Sequence, residues 1–396
     1  MSTTRIHHYI IREVSTPVVL SLLIFTFVLL MGRIPKLTEL VVSKGVPVTE
    51  ILQLFAYLLP TFLIVTLPLS FLLGILLAFG RLSADSEYVA LKASGIGLYN
   101  LLKPVLFLAL LFSLLIASLT IFAEPAVKTA FRDKVFQIAS GKASIGIRPG
   151  IFNDNFEGLV LYTRIMDERQ GIMQDVFISD EREGETPATI VAQQGRFIPD
   201  PENYTLTLRL ANGSIHRRPT QEKKATYQII GFSQYDINLD LGQQLSQDSS
   251  RRRSKGELSL QELNQEINIQ SGTRGWIPFA VEKHNRFALA FAPLVLALVG
   301  IPLGLQSNRS GKGSGFTMAL AIALIYYLLL SIASTIAGKG ILPPALAVWL
   351  PNSCFLLGGL YLLQRTATEQ PMTIFSQPLS GFKHLWQKFL FWGKRG

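Results

Sequence analysis

The feature that most restricts what this chain can fold into is a series of six apolar runs, at about residues 16–34, 51–80, 98–122, 287–305, 316–337 and 341–363. At about 1.5 Å of helix rise per residue, each is long enough to cross a hydrocarbon layer roughly 30 Å thick. The second run is overlong, so tilt, or kinks at Pro60 and Pro68, are expected to absorb the excess. The first begins after Arg12-Glu13 and is longer than the roughly 7–15 apolar residues of a secretory leader, so it reads as a span that stays in place. Composition agrees: 49% of the 396 residues are hydrophobic and 16% are charged, where a soluble domain carries roughly 25% charged residues.

The net charge of +10 is unevenly spread. Between Glu124 and Gly275 there are 19 basic and 20 acidic residues, so 18 of the 37 basic but only 7 of the 27 acidic residues lie in the membrane part. That pattern suits orientation signals and anionic lipid. It argues against nucleic acid, which would need its basic residues along a soluble face. The single cysteine, Cys354, excludes an internal disulfide and a cysteine metal cage, and His7, His8, His216, His284 and His384 show no ligand spacing.

Orientation follows from basic residues in the short flanks. Arg5, Arg12, Arg81, Lys92, Lys103, Arg309, Lys312, Arg365, Lys383, Lys388, Lys394 and Arg395 fall on one side, and only Lys36, Lys44 and Lys339 on the alternate loops. Both termini are therefore expected in the cytoplasm and the 124–275 insertion outside. That insertion changes character. Tyr204, Leu206, Leu208 and Leu210 alternate with polar residues, and 235–241 repeats the pattern with Asp236, Asn238 and Asp240 outward. Shorter β-like runs occur at 159–162, 176–178, 189–192 and 225–232, with turns expected at 199–203 and 211–213. Several short strands at close spacing imply a sandwich or jelly-roll-like sheet.

The loop between the second and third spans, Arg81 to Gly95, carries a helix-start signal at Ser83, acids at Asp85 and Glu87, and a stop at Gly95. Leu82, Tyr88, Val89 and Leu91 give it a partly apolar face. A short amphipathic helix over 83–95 can dock into a groove on a partner, or serve merely as an interfacial connector. Glu87 taken alone equally suits the first-turn dipole. A P-loop is absent, since Gly311-Lys312 is followed by Gly313 and position 306 is Gln. Any ATP-derived energy must come from elsewhere.

The stretch Ser86-Glu-x-x-x-Leu91-Lys-Ala-Ser-Gly95 resembles the permease family of the lipopolysaccharide export transporter, LptF/LptG. Leu67-Pro-Leu-Ser-Phe-Leu-Leu-Gly-Ile-Leu76, Glu282-Lys-His-Asn-Arg-Phe-Ala288 and Gly300-Ile-Pro-Leu-Gly304 resemble further stretches of the family, in the expected order. The resemblance covers nearly the whole chain, and Glu282-x-x-x-Arg286 and Pro-Leu-Gly look more like the F-type subunit. It implies six transmembrane helices in a 3+3 arrangement around a periplasmic β-jelly-roll-like domain, and a bacterial inner-membrane location. It also implies a heterodimer with a sister permease and a periplasmic jelly-roll bridge component. A separate cytoplasmic ATPase dimer would use ATP and Mg, with no cofactor in this chain. Helix 83–95 would then couple to the ATPase through Ser86, Glu87, Leu91 and Gly95.

Basic residues at the outer membrane boundary run against the charge trend. Arg33, Lys36, Lys128, Arg132, Lys134, Lys283 and Arg286 would, on the resemblance, meet lipopolysaccharide phosphates, since ammonium and guanidinium groups pair well with phosphate. Ordinary headgroup snorkelling and an i,i+4 Glu282–Arg286 pair are the alternatives. The expected regions are 1–123 with three spans and the coupling helix, 124–275 as the β domain with linkers, 276–363 with three spans, and a basic, aromatic cytoplasmic tail, 364–396. A membrane enzyme or a signalling or structural protein would share the topology. The enzyme, however, would need a nucleophile–base pair, and Ser331, Ser334 and Thr335 have no His or Asp alongside within the spans.

Overall fold

The computed structural model describes residues 3–35, 46–143, 147, 149–156, 158–167, 171–182, 188–200, 205–217, 227–239, 253–306 and 314–368. The 369–396 part of the tail, Lys36, Lys44, Tyr204, Asp240, Arg309 and Lys312 lie outside the described residues.

The described helices are α1 (Thr3–Met31), α2 (Val48–Ala84), α3 (Glu87–Ala93), α4 (Leu98–Ser118), α5 (Glu124–Ala143), α6 (Leu260–Ile269), α7 (Ile277–Gln306), α8 (Ser314–Gly338) and α9 (Pro344–Ala367). Six helical stretches are long and apolar enough to cross a membrane. The first helix starts well before the apolar run that marks it, because Ile6, Ile10, Val14 and Val18 form one buried stripe at a spacing of four. The third span does not stop at residue 122. A π-helical turn, Leu119–Ala123, joins α4 to α5.

By packing, the chain divides into two compact units: Met1–Leu29, Thr61–Phe122 and Leu260–Gly396 form one, and Leu30–Pro60 with Ala123–Ser259 forms the other. The division runs through different residues from the sequence reading: residues 260–275 go with the spans, not with the β insertion.

In the helical unit α7 is central: its span and that of α2 bury 83% and 78% of their most apolar windows, the other four spans 17–33%. In lipid, apolar burial gives helices little reason to associate, so close approach must come from shape. Glycines supply it. A Cβ on Gly304 would lie 2.8 Å from Phe79 Cβ, and one on Gly359 2.8 Å from Leu298 Cβ. Gly74 leaves no room for a Cβ beside Val18. The Gly300-x-x-x-Gly304 spacing thus marks a real approach of α7 to α2. A buried polar cluster joins three spans: Tyr326 donates to Asn352 Oδ1 at 2.9 Å, and Asn352 donates to the Ala288 carbonyl at 3.0 Å.

In the other unit one six-stranded antiparallel sheet is built from β1 (Phe152–Phe156), β2 (Leu159–Asp167), β3 (Ile172–Asp180), β4 (Ala188–Asp200), β5 (Thr205–Arg217) and β6 (Gln228–Leu239). The insertion is a β domain, as expected, but its described strands pair in simple sequence order, a meander without the crossovers of a sandwich. Leu206, Leu208 and Leu210 are fully buried opposite Leu239, Ile237 and Tyr235. On the other face Arg209 sits directly across from Asp236. The turn expected at 211–213 is instead the middle of β5. Asn212 takes φ of 52°, which asparagine tolerates, and Gly213 fits against the Val191 carbonyl where a Cβ would collide.

Candidate coupling site

The segment between α2 and α4 is built by two left-handed residues. α2 runs on through Ser83, which is not a cap: its hydroxyl donates to the Leu305 carbonyl at 2.6 Å. The helix breaks at Asp85-Ser86, with Ser86 at φ of 60°, so α3 is shorter than the expected 83–95 helix and begins at Glu87. It ends as Gly95 predicts. Gly95, at φ of 83°, donates to the Lys92 carbonyl at 2.9 Å, and Ile96 donates to the Leu91 carbonyl at 3.0 Å. This pairing satisfies two of the last carbonyls and needs a residue without a Cβ penalty at position 95.

Seven residues are too few to hold a helix in water. α3 is held by Tyr88, Leu91 and Ile96, which pack onto a cluster containing Ile6, Ile10, Leu82, Leu98 and Leu101. Burial pushes the Tyr88 hydroxyl above its ordinary pKa. Val89, placed by the sequence on the same apolar face, points the other way and is 64% exposed, beside exposed Ala90, Lys92 and Ala93. The structure therefore sorts the four expected residues into roles. Leu91 anchors, Ser86 and Gly95 set the two ends, and Glu87 sits at the start of the helix.

Glu87 has a partner that sequence reasoning missed. Tyr9 of α1 donates to its Oε2 at 2.6 Å. One turn along α1, Glu13 pairs with Arg81 of α2 at 2.9 Å, and Arg81 Nε lies 3.6 Å from Asp85. Tyr9 and Glu13 share a face at a spacing of four. The buried stripe Ile6-Ile10-Val14-Val18 was the available signal that α1 reaches this far.

The basic residues expected at the outer boundary fall in both units, and most have intramolecular partners. Lys128 pairs with Glu124 at 2.6 Å and Arg132 with Glu257 at 3.0 Å. Lys283 donates to Asn264 at 2.8 Å, and Lys134 lies 3.5 Å from Gln137. Arg286 forms the i,i+4 pair with Glu282 at 3.3 Å, and its side chain is only 2% exposed. Its side chain is thus buried inside the helical unit instead of lying on the surface of this chain, and the i,i+4 pair that was the alternative is present. Arg33 is exposed and has no ion-pair partner among the described residues.

Comparison with known proteins agrees with this architecture. The family described as the lipopolysaccharide export system permease LptF/LptG matches residues 8–365. The chain is 23% identical over 355 residues to lipopolysaccharide export system permease protein LptF of Escherichia coli strain K12, covering 88% of this chain and 91% of that protein. The LptF of Shigella flexneri gives the same values. An uncharacterized protein of Rickettsia prowazekii, RP871, is 23% identical over 189 residues, 47% of this chain and 51% of its own. With six candidate spans, an inserted antiparallel sheet and a match across nearly its whole length, the chain belongs to the LptF/LptG family of lipopolysaccharide export permeases.

Proposed function

We propose that this protein is an F-type transmembrane subunit of an ABC transporter that takes lipopolysaccharide from the outer leaflet of the inner membrane. The lipid passes to a periplasmic β-jelly-roll bridge on its way to the outer membrane. Both termini and α3 face the cytoplasm, and the sheet faces the periplasm. A sister permease completes the lipid cavity, and a separate ATPase dimer consumes ATP and Mg.

The observation that carries this reading is α3 itself, in a chain matched to the family over 8–365. It is a short helix, fixed at both ends and anchored from beneath, that turns Val89, Ala90, Lys92 and Ala93 outward. A rigid exposed helix of that kind suits docking into a groove on a motor. The spans supply apolar walls, and Arg33 offers an exposed guanidinium for a lipid phosphate. The apolar runs of spans one and five hold no Asp or Glu, which suits a lipid path better than an ion relay.

The test is purification of the full chain from its native membrane, with co-purifying proteins and bound lipid identified by mass spectrometry. An ATPase subunit, a second permease and a phosphorylated glycolipid are expected. Recovery of the chain with no ATPase overturns the proposal.

A further inference from the structure

We propose that Tyr9 is a positioning residue that carries movement of α3 into α1 through its hydrogen bond to Glu87. The inference rests on the transporter reading above, in that it says how a push on α3 reaches a span.

The geometry argues for a mechanical tie. The rest of the α3 anchorage, through Tyr88, Leu91 and Ile96, is mainly apolar. Apolar packing is non-directional, so it resists separation more than it resists sliding or rotation. The Tyr9–Glu87 bond is different. It is 2.6 Å long, partly buried, and joins residues 78 positions apart in the chain. A hydrogen bond weakens steeply as its angle departs from linear, so it fixes the rotation of α3 against α1 whether the accepting oxygen is charged or not. One turn on, Glu13 and Arg81 tie α1 to the end of α2. The charged groups acting on Tyr9 are thus Glu87, Glu13 and Arg81, with Asp85 on Arg81, and α1 is gripped at successive turns by both sides of the Asp85-Ser86 break.

Beyond the grip, α1 has two faces. Val14 and Val18 stay buried, and a Cβ on Gly74 would lie 3.1 Å from the Val14 carbonyl, so α2 guides α1 closely. Leu20, Leu23, Ile24 and Phe27 are exposed. A displacement of α3 would be delivered, through Tyr9, to a helix that exposes Leu20, Leu23, Ile24 and Phe27 farther along.

This reading differs from one in which the Glu87 carboxylate serves a charged group on a partner. Only the latter needs the negative charge, because a glutamine amide oxygen still accepts from a tyrosine hydroxyl. The test uses the full chain with its co-purified ATPase and sister permease in vesicles, reading lipid released per ATP hydrolysed. Spin labels at Arg12→Cys and Ser94→Cys, the latter at the end of α3 and outside the outward face of Val89, Ala90, Lys92 and Ala93, with the exposed Cys354 replaced by Ser, report the α1–α3 distance distribution.

Tyr9→Phe and Glu87→Ala are each expected to lower lipid released per ATP roughly five-fold, the scale of one lost hydrogen bond, and to broaden the distance distribution. The double variant should be no worse than either single. Glu87→Gln should stay near wild type. A Glu87→Gln as damaging as Glu87→Ala overturns the tie in favour of a charge role, as does a Tyr9→Phe that changes neither readout. If the unaltered chain releases no lipid, the transporter reading fails. The distance distribution still decides the tie: broadening by Tyr9→Phe supports it and an unchanged distribution overturns it.

Discussion

In the helical unit neighbouring elements meet at glycines, and in the sheet unit they meet through alternation. α2 approaches α7 at Gly304, α9 approaches α7 at Gly359, and α1 approaches α2 at Gly74. β5 and β6 instead set Leu206, Leu208 and Leu210 against Leu239, Ile237 and Tyr235, with Arg209 and Asp236 on the opposite face. The cause is the solvent. Water rewards the sheet for hiding one face, so a period of two is enough to specify it. Lipid rewards neither face of a span, so shape and a few polar contacts must select the partner.

The largest contrast should come from leucines. Leu208→Ala in the sheet removes a fully buried side chain and should cost about 3 kcal/mol, by transfer and cavity together. Leu23→Ala in α1, on an exposed face, should change stability by less than about 0.5 kcal/mol, since surface changes away from special features stay in that range. Thermal unfolding of the full chain in detergent measures both, and equal costs would break the comparison. Next, Gly304→Leu should destabilise by about 2 kcal/mol through overpacking against Phe79 and Leu76. A neutral result would mean that helix shape is not what selects the α2–α7 pairing.

Smaller effects sharpen the same contrast. Tyr326→Phe leaves Asn352 Oδ1 without this donor and should cost about 1 kcal/mol. In the sheet unit, hydrogen bonds from Arg182 and Arg209 hold the Asp180 and Asp236 carboxyls below their ordinary value. Both carboxylates therefore stay ionised in the native sheet at a pH where the unfolded chain has taken up protons. Their stabilisation is complete above about pH 4, near the unfolded aspartate value, and is lost as pH falls through the lowered native values. Arg209→Gln should flatten part of that acid sensitivity, followed by circular dichroism between neutral pH and pH 3, and should be the mildest of these changes at neutral pH, because solvent screens an exposed pair. An unaltered acid profile would remove the pair from the account.

What the sequence showed follows the same divide. Six apolar runs gave the spans, and the alternation around Leu206–Leu210 gave the buried face of β5, because each signal is local. Gly95 announced the end of α3 for the same reason. Ser83 misled, since a serine before acids looks the same whether it caps a new helix or, as here, bonds back from an old one to Leu305. The extension of the third span into α5 was hidden by the low hydropathy of 124–143, although helix and membrane need not stop together. Asn212-Gly213 read as a turn because those residues favour positive φ, yet paired strands on both sides hold them in β5. Pairings such as Arg132 with Glu257 and Tyr9 with Glu87 join distant positions, and no spacing rule reaches them.

The brevity of α3 has a consequence for any attempt to imitate it. A helix of seven residues bounded by two left-handed positions owes its order to Tyr9, Leu82 and Leu98 beneath it. Cut out as a peptide, residues 86–96 would be a coil in water. The surface that α3 presents exists only while the spans around it are assembled, so a partner that docked there, as proposed, would in the same act inspect the folded chain.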